Sequence, residues 1–600
     1  MLILTLLIAV LTVVFGVLAK RFTREPLGQV AVALFLAVLA PIYAPQLSHL
    51  LFGTLGTAGL WVSLGLISGA FAGGLYFAGR RVGARVDAAT VSPPILRQST
   101  FASLQTALRS PLIATLLIVA LAASGLSLWI SIRFSQFGWD GWVYHAAAMA
   151  WFHQQNAITP APWMPWIIGY PKNIEFLGFW VFRFEGNDGH IDMVNLLLHW
   201  IAIPFAYGLG RRIGLQPGWA FLAALLYFLT PVLISQSWSG YIDGVFADSV
   251  VMMLYFLFTW MQSQGATRAV WAILLGCALG HLAQIKGTGL HLVFIIGGFV
   301  LVHEWLTGQR SKLVQTLALV AAPTALLGAG WYLHTWWVMG NPLYPFRIMV
   351  PGTHTALFEG TMDLKDSMLA NLGQRINLDE PWPLRYFRMF QSSGWGLQFF
   401  AFGLPATALC LVKGNKPLRW LFVFAAVYLI VTPFSFVDRY AAVVTAVGAL
   451  SFAFVMQEHV RNLIWSRLLA AAAIVAATAS VLPLAMNMDP QSLGPRNPPA
   501  IEQMGEAEGY KRFALVNAAD SPQRIGIVDL ARGADNPHWY FYFGSRWDNP
   551  LEVFDPSQAS QYDFAVCASD GGRCREITET GLFDRVIEER GVEVYRRASH

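Results

Sequence analysis

The segment Phe137-Gly-Trp-Asp-Gly-Trp-Val-Tyr-His145 decides how this chain is interpreted, because it directly follows a long apolar run. That run, Pro111–Ile132, can cross a bilayer as a helix, since ~20 apolar residues at ~1.5 Å each match the hydrocarbon thickness. Asp140 therefore lies just past a membrane exit, between Trp139 and Trp142, whose rings favour the membrane interface. Two interpretations stay open at this point: a carboxylate that performs chemistry, or a simple cap of the following helix.

The composition defines the class of protein. Of 600 residues, 56% are hydrophobic and only 12% are charged, and the mean hydropathy is +0.50. Such values indicate a chain that is solvated mainly by membrane lipids. The net charge of +5 does not indicate nucleic-acid binding, because the basic residues form short clusters between apolar spans.

The apolar spans predict a polytopic α-helical membrane protein with about fourteen transmembrane helices. They cover residues 2–19, 30–47, 58–78, 111–132, 194–209, 219–235, 245–261, 270–285, 290–302, 317–337, 397–411, 420–434, 441–456 and 468–484. The first span has no positive charge before its apolar core and is predicted to be a retained anchor, not a signal peptide. Every second connection carries Lys or Arg, which places those connections in the cytoplasm and Asp140 on the extracytoplasmic, periplasmic side of the inner membrane.

Three parts of the chain are distinguished by this pattern. Residues 1–110 are predicted to be accessory helices with a basic cytoplasmic linker. Residues 111–486 form the predicted catalytic module, with long outer loops at 131–192 and 340–394. Residues 487–600 are less apolar and predict a small extracytoplasmic α/β domain, with strand-like runs at 524–529, 539–543, 562–566 and 592–595 and a helix at 582–590. Cys567 and Cys574 in this domain would form a disulfide if that side is oxidising.

Four ionisable residues near membrane boundaries are costly unless they face a cavity or a polar partner. Asp243 begins an inward helix and Asp248 follows about one turn later; capping explains Asp243 well and Asp248 less well. Lys286 and Arg439 lie where helices meet the outer face, so each is either a snorkelling side chain or a ligand for an anionic group. Two such cations together favour an anionic lipid headgroup.

The order and sidedness of these motifs resemble the GT-C superfamily of integral membrane glycosyltransferases, of the protein mannosyltransferase and aminoarabinose transferase kind. The resemblance is carried by Trp139-Asp-Gly-Trp-Val-Tyr-His145, Tyr170-Pro-Lys-Asn-Ile-Glu175, Tyr241-Ile-Asp243, Lys286-Gly-Thr-Gly289, Gly340-Asn-Pro-Leu-Tyr-Pro-Phe346 and Asp438-Arg-Tyr440. It covers about residues 111–486.

The resemblance implies transfer of a sugar from a polyprenyl-phosphate donor to a glycan, lipid or protein acceptor, usually with inversion. Asp140 would be the general base that removes the acceptor proton. The residues implied in substrate binding are Tyr144, His145, Glu175, Asp243, Lys286 and Arg439, with the two cations on the lipid phosphate. Some members hold a divalent metal, Mg²⁺ or Mn²⁺, for which Glu175, Asp243 and His145 are the candidate ligands.

Three other functions predict different features of the sequence or the site. A transporter or flippase of lipid-linked glycans would show internal repeats with broken helices in matching halves, and neither is visible in the sequence. A non-catalytic assembly protein would leave Asp140 dispensable. A ligase that uses a diphosphate-linked glycan remains open, because its site also needs outer cations. The lack of a phosphate-binding glycine loop favours a lipid-linked donor over a nucleotide sugar.

Overall fold

The computed structural model describes most of the chain. The described residues are 1–23, 25–83, 109–133, 140–161, 164, 166–350, 352–353, 355–363, 394–432, 437–486, 511–518, 521–528, 539–544, 546–569, 574–589 and 591–598. Several features predicted from the sequence lie outside these residues: most of the basic linker at 84–108, Trp139, much of the second outer loop at 364–393, and the proline-rich segment at 487–510.

Helices dominate the described residues. In the first half of the chain they are α1 (Leu2–Ala19), α2 (Pro26–Phe52), α3 (Thr57–Gly83), α4 (Pro111–Arg133), α5 (Ala146–Gln155), α6 (Trp166–Gly169), α7 (Glu175–Glu185), α8 (Met193–Arg212), α9 (Pro217–Phe228), α10 (Pro231–Gln236), α11 (Asp243–Gln262) and α12 (Gly265–Ile285). Then follow α13 (Gly289–Leu306), α14 (Leu313–Gly328), α15 (Gly330–Met339), α16 (Leu404–Lys413), α17 (Lys416–Val431), α18 (Val443–Glu458), α19 (Leu463–Met486), α20 (Lys511–Asn517) and α21 (Arg575–Thr578). Short π-helices cover Gly141–His145 and Phe399–Gly403.

The predicted class, a polytopic helical membrane protein, is confirmed. Ten helices of the described chain are long and apolar enough to cross a membrane, namely α1–α4, α8, α11–α14 and α19. The other four predicted spans correspond to shorter helices, α9, α16, α17 and α18. Fourteen crossings therefore remain a prediction.

Two predicted spans are interrupted in the structure. The span at 219–235 divides into α9 and α10, because Pro231 lacks an N–H donor and Thr230 before it is extended. The span at 317–337 divides at Ala329 into α14 and α15. In both places the structure has two helices where the sequence predicted one continuous span.

Helix α11 is the centre of the bundle. It is the most enclosed of the ten candidate spans, with 94% of its apolar window buried, and it packs between α8 and α12. The N-terminal helices α1, α2 and α3 pack on one another, and α2 also contacts α7 and α8. Because α11 begins at Asp243 and α12 ends at Ile285 beside Lys286, both residues lie at the same end of the bundle.

The C-terminal region forms a five-stranded mixed sheet. Its strands are β3 (Ile525–Val528), β4 (Leu551–Val553), β5 (Phe564–Ala568), β6 (Phe583–Glu589) and β7 (Val592–Arg597), after a small hairpin of β1 (Ile348–Met349) and β2 (Ala356–Phe358) elsewhere in the chain. The order is β4-β3-β5-β7-β6, with β3 parallel to both of its neighbours and β7 antiparallel to β5 and β6. Cys567 and Cys574 are joined in a disulfide.

Two expectations for this region were wrong. Residues 582–590 were predicted to be helical, but β6 pairs along β7 in a hairpin whose turn contains Gly591, at φ +72°. Pairing with β7 therefore decides the conformation of β6 and overrides the helical spacing of the apolar residues in β6. The run at 539–543 was predicted to be a strand and is instead a 3-10 helix, Trp539–Phe543.

Segments predicted to lie outside the membrane meet at one end of the bundle. The Tyr170 hydroxyl and the Met362 sulfur of the second outer loop are 3.8 Å apart, and Gly169 packs against Pro345. The Gln154 side chain donates to the carbonyl oxygen of Trp547 in the C-terminal region, at 3.1 Å. All three predicted outer segments therefore share one side.

Candidate active site

Asp140 immediately precedes the π-helix Gly141–His145, but its side chain does not cap that helix. Its carboxylate instead pairs with Arg439, whose guanidinium lies 3.1 Å away. The two side chains remain partly accessible, at 15% for Asp140 and 20% for Arg439. Asp140 therefore occupies the N-cap position, but its carboxylate does not cap the helix.

Four charged side chains form a continuous row. Arg439 contacts Asp140 with one nitrogen and Asp243 with its Nε, at 3.3 Å. The other oxygen of Asp243 accepts a hydrogen bond from the ammonium group of Lys286. The row is thus Asp140, Arg439, Asp243 and Lys286, with two negative and two positive groups, and only Asp243 is deeply buried, at 3% exposure.

The backbone turn before α11 is held firmly in place, which positions Asp243. The side-chain amide of Asn195 lies within 3.1 Å of the carbonyl oxygens of Gln236, Ser239 and Tyr241. The Gln236 side chain accepts from the backbone N–H of Gly244. This network satisfies polar groups that would otherwise be unpaired beside the first turn of α11.

Lys286 lies in a tight turn between α12 and α13. Its backbone is extended and ends α12, and the chain turns at once into Gly289, the first residue of α13. A Cβ atom at Gly289 would lie 2.1 Å from the carbonyl oxygen of Leu282, so this close approach requires glycine. The turn directs the lysine toward Asp243 and over the ring of Tyr440, whose centre is 3.4 Å from the ammonium nitrogen.

Arg439 lies on a short 3-10 helix, Asp438–Ala441. The carboxylate of the neighbouring acid, Asp438, accepts from the backbone N–H groups of Gly394 and Arg439. The Tyr428 hydroxyl donates to the carbonyl oxygen of Tyr440, at 2.6 Å. Asp438 therefore fixes the local backbone, and the guanidinium of Arg439 pairs with Asp140 and Asp243.

Tyrosine rings enclose the two cations. The guanidinium carbon of Arg439 lies 4.4 Å from the ring centre of Tyr241 and 5.0 Å from that of Tyr440. Burial opposes the charge of Arg439, but Asp243 and Asp140 outweigh it and raise the pKa of Arg439 above its usual range. Burial, with a contribution from Asp140, also raises the pKa of the Tyr241 hydroxyl. The guanidinium is therefore permanently charged and the phenol is neutral.

A second polar cluster lies next to the row and joins the π-helix to α7. His145, the last residue of the π-helix, binds Glu175 through Nδ1 at 2.5 Å, and the Lys172 ammonium lies 3.5 Å from the same carboxylate oxygen. Burial disfavours the charge of Glu175, but Lys172 and His145 outweigh it and hold the pKa of that carboxyl below its usual range. Burial lowers the pKa of the fully buried Lys172. Tyr144 and Tyr170 pack together above this lysine, with ring centres 5.3 Å apart.

The predicted metal ligands do not converge on one point. His145 and Glu175 bind each other, whereas Asp243 is held by Lys286 and Arg439. Within the described part of the chain, the ligand atoms of these three residues do not gather within 4.8 Å of one another. The three-ligand set does not fit a divalent ion in this geometry, since cationic side chains already neutralise both carboxylates. The predicted ligand set is therefore not supported by the geometry, and a divalent metal stays an expectation from the resemblance alone.

The structure assembles Asp140, Asp243, Lys286 and Arg439 directly and places His145, Glu175 and Tyr144 beside them. Sequence analysis did not single out the lining residues Tyr170, Lys172, Tyr241 and Tyr440, although each belongs to a motif quoted there. Asp248 lies apart from the site, inside the bundle, where it binds His199 at 3.0 Å and the Tyr227 hydroxyl at 2.9 Å. The sequence signal for Lys172 was a lysine within an aromatic-rich segment that the resemblance had already picked out.

Comparison with known proteins shows the fold. No protein-family model matches the sequence, and no functionally curated protein matches it. The chain is similar in structure to ArnT from Cupriavidus metallidurans bound to undecaprenyl phosphate, with a TM-score of 0.52 and 12% identity over 81% of this chain and 98% of that chain. The apo state of that protein gives a TM-score of 0.51 and 12% identity, with 80% and 97% covered. The Archaeoglobus fulgidus oligosaccharyltransferase complex with Zn and sulfate has a TM-score of 0.49 and 16% identity, with 80% and 73% covered. The likeness to ArnT, an aminoarabinose transferase of the GT-C type, confirms that this chain has a GT-C-like membrane fold.

Proposed function

We propose that this protein is a membrane glycosyltransferase that transfers a sugar from a polyprenyl-phosphate donor to an acceptor hydroxyl on the extracytoplasmic side. The observation that carries the proposal is the row Asp140, Arg439, Asp243 and Lys286 at one end of the bundle. It puts a partly accessible carboxylate next to two cations. Residues 111–486 are the proposed catalytic module.

In the proposed reaction, Asp140 accepts the proton of the acceptor hydroxyl while that oxygen attacks the anomeric carbon of the sugar. The bond between the anomeric carbon and the phosphate oxygen breaks, and its electron pair leaves with the phosphate. Attack from the face opposite the leaving group inverts the anomeric centre. A positioned carboxylate typically contributes 10²–10⁴-fold to such a proton transfer.

Lys286 and Arg439 have the second role, which is to stabilise the departing lipid phosphate. Developing negative charge on the leaving group is stabilised best by cations that are already in position. Both lie over aromatic rings at the membrane end, where a headgroup on a polyprenyl chain arrives. The structurally similar ArnT was crystallised with undecaprenyl phosphate, which supports a donor of this chemical class. Tyr144, His145 and Glu175 would line the adjacent sugar or acceptor space.

The test is turnover of purified protein in lipid, with a polyprenyl-phosphate sugar and Asp140→Asn as the variant. The amide keeps the size of the side chain but cannot accept the proton, so turnover should fall by about 10²–10⁴-fold while donor binding and thermal stability persist. Glu359→Gln is the matched control, because Glu359 is an exposed acid that pairs with Arg347 in the second outer loop. Near-normal turnover of Asp140→Asn would contradict the assignment of the base.

A further inference from the structure

Arg439 serves two carboxylates that are held very differently. Asp243 is 3% exposed and has a second cation, Lys286. Asp140 is 15% exposed, and Arg439 is its one cationic partner among the described residues. If Arg439 turns away, Asp243 keeps Lys286 as a counter-ion, whereas Asp140 keeps none among the residues that the structure describes. The contact between Arg439 and Asp140 is therefore the weaker link of the row.

The reaction proposed above moves negative charge from one end of this row to the other. Before transfer, Asp140 carries a negative charge and the donor phosphodiester carries one. As the proton arrives, Asp140 becomes neutral, and as the glycosidic bond breaks, the lipid phosphate becomes a monoester with a further negative charge. A single guanidinium between the two sites can pair with Asp140 before the donor arrives, and with the phosphate from donor binding until the phosphate departs.

We propose that Arg439 exchanges between Asp140 and the lipid phosphate, so that binding of the donor itself frees the base. This inference rests on the proposed function. Arg439 retains its Nε contact to Asp243 and redirects the nitrogen that faces Asp140 toward a phosphate oxygen. The guanidinium fork suits two oxyanion partners at once, and a phosphate oxygen competes well with a carboxylate for it.

The exchange explains how one site can hold a carboxylate and bind an anion. While Arg439 holds Asp140, its guanidinium occupies Oδ2, one of the two carboxylate oxygens that could accept the acceptor's proton. Once the phosphate takes that nitrogen, Asp140 is available to the acceptor. The base thus becomes active only when the donor is bound.

The experiment is a double-mutant cycle on binding of undecaprenyl phosphate, measured for the full chain in lipid nanodiscs. Asp140→Asn removes the competitor and imitates the protonated base, so it should tighten binding by about 3- to 10-fold. In an Arg439→Gln background the same Asp140→Asn change should alter affinity by less than about twofold. Glu359→Gln removes an exposed acid on the same side and should leave the affinity unchanged.

The possible outcomes distinguish a failure of the Arg439 exchange from a failure of the proposed function. Equal tightening in both backgrounds would mean that Asp140 simply repels the phosphate, and it would overturn the exchange. Unchanged or weaker binding by Asp140→Asn would also overturn it and leave the proposed function intact. A wild-type protein that does not bind the lipid would overturn the proposed function itself. If Arg439→Gln does not fold, Arg439→Lys replaces it and should reduce the tightening, because an ammonium is not a two-pronged donor.

Discussion

The indole ring of Trp547 stacks on the phenyl ring of Phe182, with ring centres 3.7 Å apart and planes inclined by 6°. Trp547 belongs to the C-terminal region and Phe182 to α7, so the pair fastens the sheet to the first outer segment. The 3-10 helix Trp539–Phe543 also contacts the π-helix next to Asp140. The C-terminal region is therefore seated on the same elements that carry the candidate site.

Acid should weaken this contact through His153. Its ring lies 4.7 Å from that of Phe182 and 6.1 Å from that of Trp547. Burial, with a smaller effect of Arg183, lowers the pKa of His153 to about 4. The unfolded chain therefore takes up a proton near pH 6.5 that the folded chain takes up only near pH 4, and stability falls as the pH drops from about 7 to about 4.

The measurement is the thermal unfolding temperature against pH for the wild type and for His153→Gln. Because His153 is only partly buried, we expect a loss of about 1 kcal/mol in the wild type after solvent screening, and a smaller loss in the variant. His459→Gln, at an exposed histidine, is the control and should keep the wild-type slope. Parallel curves for wild type and His153→Gln would contradict the prediction.

Lys286→Ala should weaken use of the lipid donor more than it disturbs folding. Asp243 keeps Arg439 as a counter-ion, whereas the phosphate loses a charge-assisted contact of about 1.5–3 kcal/mol, or roughly tenfold or more in affinity. Donor binding and turnover should be measured together with thermal stability. Arg347→Ala removes an exposed cation from the same side and should change neither. Equal donor affinity in Lys286→Ala and wild type would contradict the prediction and leave Lys286 as a counter-ion of Asp243 only.

Membrane topology gives an independent prediction. Reporters fused after Ser131 or after Asp489 should report the extracytoplasmic side, and reporters near Arg97 or Lys416 the cytoplasm, because basic connections stay inside. Residues 489 and 97 lie outside the described residues, so the sequence alone motivates those two fusions. Cytoplasmic labelling after Asp489 would contradict both the number of crossings and an oxidising environment for the Cys567–Cys574 disulfide.

Much of the membrane part could be predicted because lipid imposes a simple rule. A span must be long and apolar, and α1 begins and ends where its hydropathy does. The rule does not predict where a proline divides a span into two helices, as at Pro231, because hydropathy does not report a missing N–H donor. It also says nothing of β6, whose partner β7 determines its conformation.

The site was predictable as a set of motifs and not as a set of contacts. Ionisable residues close to apolar spans are costly unless they face a cavity or a polar partner, so Asp140, Asp243 and Lys286 stand out in the sequence. Their grouping depends on which helices are neighbours, and the pairing of Arg439 with two carboxylates depends on the packing of α11 against the 3-10 helix at Asp438–Ala441. Nothing in the sequence ranks Arg439 as the shared cation.

The π-helix at Gly141–His145 absorbs one residue more than a regular α-helical turn would hold between Asp140 and α5. A π-turn accommodates one more residue than an α-turn, so deletion of a single residue within it would let α5 continue as a regular α-helix. Each residue of an α-helix accounts for about 100° of rotation. Deletion inside the π-turn would therefore keep Asp140 on nearly the same side of the helix, because the π-turn spreads about one turn over one more residue. Deletion of one residue from α5 itself would instead swing the Asp140 carboxylate by about 100° away from Arg439. The same loss of one residue would thus spare the row at one position and dismantle it a few residues later, with every charged side chain of the row still present.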